Sequence, residues 1–171
     1  MITILDTKQD YERAYERLCA GDRHRALLYS SDASFEVFYD LLSKGWAIET
    51  SYDVPSAVAW VDTFNGTTAF HHFSGYAGAA HNVTRSTVDI LDWFFSMGRT
   101  TLFGITPKPY KHVFKAVTGP VGYEVVLDEP GMCYMAKYGR CVPGIVTRLT
   151  HDKWLQSRGA LAQQVKDATR N

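Results

Sequence analysis

The sequence predicts an α/β (α+β) fold, a mixed, mostly antiparallel sheet with helices on both faces and a helical extension at its C-terminal end. Three observations carry that expectation. Ala57 to Phe64 and Thr67 to Phe73 are rich in Val, Trp, Phe and Thr and flank Asn65-Gly66, the pattern of a hairpin closed by a type I′ turn. Ser74 to Val83 is a loop of small residues that opens a strongly periodic helix near Thr84 to Ser86. Thr101 to Ile105 follows as a compact apolar strand, so the helix is a crossover that makes Thr67–Phe73 and Thr101–Ile105 parallel.

The remaining elements read in order. Ile2 to Leu5 is a short strand, and Asp6 or Thr7 caps a helix over Lys8 to Ala20 that Gly21 ends, with Tyr11, Tyr15 and Leu18 inward. Arg25 to Tyr29 reads as a brief strand or a loop. Ser31 or Asp32 opens a second helix carrying Phe35, Phe38 and Leu41–Leu42, with Gly45 as its stop, and Trp46 to Tyr52 is a strand. In the crossover helix Val88, Leu91 and Phe94–Phe95 form one row, widened by Ile90, Trp93 and Met97. Ser86 with Asp89 resembles a capping box there, and Gly98 ends the helix. Tyr110 to Val117 is a short helix. Tyr123 to Leu127 and Met132 to Tyr138 read as a second hairpin across Asp128-Glu129-Pro130-Gly131. After Gly139 the composition turns polar, and only His151 to Ala168 suggests another helix. The expected division is therefore a domain over 1–138 and an extension over 139–171. In that extension Trp154, Leu155, Leu161 and Val165 form a narrow stripe that a second copy, a partner or the domain itself would cover.

Bulk composition narrows the function. Lys plus Arg and Asp plus Glu are both 18, so no net field draws the chain to nucleic acid or an anionic membrane. No apolar run is long enough to span a membrane, and Met1 to Asp6 lacks the regions of a signal peptide. Cys19, Cys133 and Cys141 are scattered, with no C-x-x-C, as expected of reduced thiols in a cytoplasmic protein. His71, His72 and His81 lack metal-ligand spacing, so no metal is expected. The G-x-S-x-G, H-E-x-x-H and Walker patterns are absent, which removes the commonest hydrolase and NTPase readings.

The loop before the crossover helix is the chemical feature. A strand that leads through small residues to a helix N-terminus turns free N–H groups and the positive end of the helix dipole toward one spot, which suits a phosphate. The order of elements over roughly 1–138 resembles the GNAT (GCN5-related N-acetyltransferase) superfamily. Gly122-Tyr123 after a short helix looks like the Gly-aromatic pair that opens that family's next-to-last strand. Phe70-His71-His72-Phe73 with Leu91-Asp92-Trp93-Phe94-Phe95 resembles, more narrowly, GNAT-like proteins of tailed phages assigned to head assembly.

The resemblance implies acetyl-CoA as co-substrate, with its pantetheine arm in a gap where the two parallel strands splay. It places the phosphates beside Gly78, Ala80, Asn82, Thr84, Arg85 and Ser86. It implies an amine acceptor that attacks the thioester directly. Three departures weigh against turnover. Gly75-Tyr76-Ala77-Gly78-Ala79-Ala80 lacks the leading Arg or Gln of the family loop. Thr118 stands where the family often has a tyrosine acid, and Pro109-Tyr110 replaces an Asn that often opens the short helix.

The residues themselves offer a base. With a two-residue turn at Asn65-Gly66, Trp60 faces His71 and Asp62 faces Ala69, so Asp62 and His71 share a face as orienter and base while His72 points away. Two histidines that merely finish a half-buried strand are the plainer explanation. Tyr110, with His112 nearby, is the substitute acid, and Lys108 is a further phosphate cation. The leading function is thus acetyl transfer from acetyl-CoA to an amine. The alternative is a non-catalytic phage head-assembly or interaction protein that keeps the fold and uses phage structural proteins, or self-association through 139–171. A phage-encoded chain would act in the host cytoplasm.

Overall fold

The computed structural model describes residues 1–27, 32–135 and 138–168. Its strands are β1 (Ile2–Ile4), β2 (Trp46–Ser51), β3 (Pro55–Asn65), β4 (Thr68–Gly75), β5 (Thr101–Pro107), β6 (Glu124–Met135) and β7 (Arg140–Thr150). Its helices are α1 (Lys8–Ala20), α2 (His24–Leu27), α3 (Phe35–Leu42), α4 (Val83–Ser96), α5 (Lys111–Ala116) and α6 (His151–Ala168). Among the described residues the strands form one sheet in the order β1-β2-β3-β4-β5-β7-β6, antiparallel except for the central pair β4–β5.

Alternation along the strands sends side chains to two cores. Ala57, Ala59, Val61, Ala69, Leu102 and Leu149 pack under α4 and α6, against Leu91, Phe94, Trp154 and Leu161. Ala47, Val58 and Trp60 point to the other face, under α1 and α3, against Tyr11, Leu18, Phe38 and Leu42. Thr7 and Asp10 close α1 with a full capping box, as its sequence implies. Gly45 does more than stop α3. A Cβ there would lie 2.0 Å from the Val61 carbonyl oxygen, so the chain enters β2 only through a glycine.

Four expectations are corrected. The β3–β4 loop is Gly66-Thr67, flanked by the pair Asn65↔Thr68. Gly66 takes φ +58° while Thr67 does not cross to positive φ, the II′ pattern rather than I′. The register then shifts between Asp62 and Asn65, a bulge that leaves Asp62 opposite Phe70, Val61 opposite His71 and Trp60 opposite His72. His24 to Leu27 is helical rather than a strand, and residues 28 and 29 of the Arg25–Tyr29 segment lie outside the described residues. Ser86 caps nothing. It is buried within α4, and its hydroxyl meets that of Thr50 at 2.9 Å.

The largest correction concerns the C-terminal part. The second hairpin is not Tyr123–Leu127 with Met132–Tyr138; β6 is continuous through that region and pairs with β7. Strand β7 lies between β5 and β6, from Thr101↔Thr150 to Pro107↔Gly144 on one side. Tyr138 is therefore no boundary, because the following residues complete the sheet. Helix α6 folds back onto it. Trp154 and Leu161 are fully buried there, Val165 is half-buried, and Leu155 alone of the expected stripe is exposed.

Candidate functional site

The central strands pair over only three positions, Thr68↔Thr101, Ala69↔Leu102 and Phe70↔Phe103. Beyond Phe70, β4 stays with β3 as far as Ala57↔Gly75, and beyond Phe103, β5 stays with β7 as far as Pro107↔Gly144. The two strands thus part like the arms of a V. Between His71 and Ser74, every second set of β4 backbone groups faces away from β3 into this wedge. Such groups need partners. The loop after β4 forms one lip of the wedge, and Tyr110, which precedes α5, belongs to the other.

The loop is held from behind. Tyr76 is buried, and its hydroxyl donates to Glu49 at 2.8 Å, where Arg17 also donates at 2.5 Å. Burial, then the Glu49 charge, drive the Tyr76 phenol far above its usual range. Gly78 takes φ +82° in open space, a conformation that suits glycine. A single 3₁₀ turn, Ala80–Asn82, leads into α4. It satisfies part of the expected anion site internally, because Asn82 N–H bonds Ala79 O and Val83 N–H bonds Ala80 O.

The expected phosphate residues divide accordingly. Gly78, Ala80 and Arg85 are exposed and Thr84 is half-buried at the start of α4. Asn82 is instead buried, its amide donating to Asp53 at 2.9 Å and Ser56 at 3.1 Å. Ser86 is engaged with Thr50. Both differ from the expected side-chain donors for the same reason, that α4 packs this face on the β2–β3 connection. Arg85 stacks over the Tyr52 ring at 4.0 Å, and Tyr52 donates to Asp89 at 2.8 Å.

The register shift exchanges the two histidines. Asp62 accepts a hydrogen bond from His72 at 3.0 Å, and does not orient His71. The His72 ring lies flat on Trp60, with centroids 4.6 Å apart and planes 14° from parallel. The His72 and Asp62 side chains are 19% and 26% exposed, so a solute reaches both. His71 points to the α4 face, with Nε2 2.5 Å from the Tyr123 hydroxyl. Its Nδ1 is buried without a partner. Burial, followed by the charge of His72, holds the His71 imidazole down to about 3, so it stays neutral. Burial likewise drives the Tyr123 phenol far above its usual range, and this neutral phenol donates to Nε2. A buried tyrosine needs a partner for its hydroxyl, the one signal in Gly122-Tyr123 that points to this pair.

A pH dependence follows. The folded His71 pKa lies below the unfolded one, so the unfolded chain alone takes up this proton as pH falls from about 6.5 toward 3. Stability is complete above that window and lost through it. His71→Phe is expected to flatten the decline by up to one proton, read from melting temperatures between pH 7 and 4.

Tyr110 is half-buried against the cluster of Cys133, Met135 and Val142. Burial raises its phenol, the nearby Tyr138 adds to that, and the Arg23 charge opposes it. Lys108 pairs with Asp128 at 2.6 Å rather than standing ready for a phosphate. The Thr118 hydroxyl donates to Phe114 O at 2.8 Å, an internal helix bond. Among the described residues no group of three His, Cys, Asp or Glu is placed to hold a metal, and no helix is long and apolar enough to cross a membrane.

No protein-family profile matches this sequence, and no curated protein does. Solved structures do. RimJ of Mycobacterium smegmatis, in complex with CoA-disulfide, superposes with a TM-score of 0.73 at 11% identity over 96% of this chain and 89% of its own. The ribosomal-protein-S5-alanine acetyltransferase of Vibrio fischeri gives 0.65 at 11% identity over 90% and 93%. Salmonella typhimurium yncA, with its cofactor acetyl-CoA, gives 0.66 at 14% identity over 88% and 92%. With the parted central strands and the strand order described above, the chain has the mixed α/β fold of the GNAT acetyltransferases.

Proposed function

We propose that the chain binds acetyl-CoA in the wedge between β4 and β5 and transfers its acetyl group to an amine. The parting of β4 from β5 beyond Phe70 and Phe103 carries this reading, because it exposes backbone donors and acceptors beside a small-residue loop. The amides of the pantetheine arm suit those groups, and an N–H of β4 would polarise the thioester carbonyl. His72, oriented by Asp62, takes the proton of the attacking ammonium. The C–N bond forms as the C–S bond breaks. The departing thiolate takes its proton from the Tyr110 hydroxyl, a phenol kept protonated by burial at the wedge mouth, and the second proton shed by the new amide nitrogen passes through solvent to restore that phenol. The structural neighbours bound to CoA-disulfide and acetyl-CoA support the choice of co-substrate.

Calorimetric titration with acetyl-CoA tests the reading. Saturable binding is expected, weakened when Arg85, exposed at the start of α4, becomes Glu. Lack of binding at millimolar acetyl-CoA would overturn it.

Two observations favour the second reading, a non-catalytic assembly protein that keeps the fold, of the kind tailed phages use in their heads. Thr118 is tied to its own helix where the family's acid would stand. The Asp53 carboxylate, bonded to Asn82 and 3.3 Å from His81, puts negative charge beside the loop that would receive phosphate. A chain that captures phage structural proteins, binds acetyl-CoA weakly and acetylates no amine would fit that reading.

A further inference from the structure

The loop after β4 lacks the basic or amide residue expected at its head, and the cations nearest to it are engaged. Arg17 bonds Glu49, and Arg85 lies on Tyr52. The turn that ends α1 brings another. A Cβ on Gly21 would fall 2.8 Å from the Cβ of Ala77, so this turn rests directly on the loop, and glycine permits the approach. The same point lies 3.4 Å from Arg23 Cγ and 3.6 Å from Arg23 Nε, so the Arg23 side chain flanks the same glycine that meets Ala77.

The backbone of this turn departs from the ordinary at the residue before Arg23. Asp22 holds φ +53°, the one non-glycine residue at positive φ among those described. Arg23 N–H then bonds Leu18 O at 2.9 Å, which folds the chain back over the end of α1. On the far lip, the charge of Arg23 acts on the Tyr110 phenol. Arg23 therefore belongs to the turn that rests on the loop at Ala77, and its charge reaches as far as the phenol that precedes α5. It is exposed, and among the described residues it forms no ion pair.

We propose that Arg23 is the cation that receives the phosphates of the acyl-CoA, supplied from the α1–α2 turn in place of a basic residue in the loop itself. A guanidinium suits this role, since its planar fork meets two phosphate oxygens at once. The assignment rests on the proposed use of the wedge for acetyl-CoA.

The test compares two probes, acetyl-CoA and S-acetylpantetheine, which keeps the thioester arm but carries no phosphate. Arg23→Ala should weaken acetyl-CoA binding by about tenfold or more, as expected for a charge-assisted hydrogen bond. Arg23→Lys should restore part of it, and S-acetylpantetheine should bind wild type and Arg23→Ala alike. Melting curves of the variants establish that they are folded. Acetyl-CoA binding within about twofold of wild type, or equal losses for both probes, overturns the assignment while leaving the wedge as the acetyl-CoA site. A wild-type chain that binds neither probe overturns both.

Discussion

Trp154→Ala is expected to destabilise the protein by about 3–5 kcal/mol, the range for truncating a fully buried aromatic side chain. The indole is 1% exposed in the core under α4 and α6. Its Nε1 donates to Asp92 at 2.9 Å, and Asp92 also takes both ends of the Arg158 guanidinium, so one substitution removes packing and loosens the clasp between the helices. Denaturant titration measures the loss. Truncation after Tyr138 goes further, because it takes β7 from between β5 and β6. No cooperative unfolding transition is expected from that fragment. An unchanged melting curve would mean that 139–171 is a separate appendage, as its composition suggests, and that its stripe serves a partner.

His72→Ala should lower turnover about a hundredfold or more, the usual contribution of a positioned general base. Asp62→Asn should lower it less while leaving the ring seated on Trp60. His71→Ala should act mainly on stability, since His71 fills space between Phe94, Tyr123 and Gly104 and is held neutral. Steady-state rates with a panel of amines, set beside melting temperatures, separate the two. A hundredfold loss in His71→Ala at unchanged stability would restore the pairing that the strand pattern alone suggests.

That exchange shows where the sequence stops being legible. Asn65-Gly66 signals a hairpin correctly, yet the loop falls one residue later and a bulge follows. A one-residue change in register moves every side chain on one strand relative to its partner. Composition carries no mark of a bulge made by ordinary residues. Strand β7 escapes notice for another reason. Arg140, Cys141, Pro143 and Gly144 read as a loop, and Pro143 cannot donate to a ladder. It is tolerated because the β6–β7 register breaks there, between Glu129 and Cys133, while its carbonyl accepts from Lys108 N–H. By contrast α1, α4 and the crossover were legible, because periodicity and both end signals agree in α1, while in α4 the periodicity and the closing Gly98 suffice although the expected cap at Ser86 is absent. Within the site, the small-residue loop could be read from its composition. The pairs His72–Asp62 and His71–Tyr123 could not, since each depends on contacts set by the three-dimensional register.

The position of β7 also bears on how the protein comes into being. A strand that lies inside the sheet but comes last of the described strands in chain order must wait until every other strand has been made. Until then β5 and β6 each present an unpaired edge, and the wedge has one arm without support. Contacts that join distant parts of the chain form slowly, and half-built sheets are prone to join one another. A ribosome that stalls before residue 150 would thus release a product with open strand edges and no formed cleft. Such a fragment is destined for aggregation or degradation rather than for partial function.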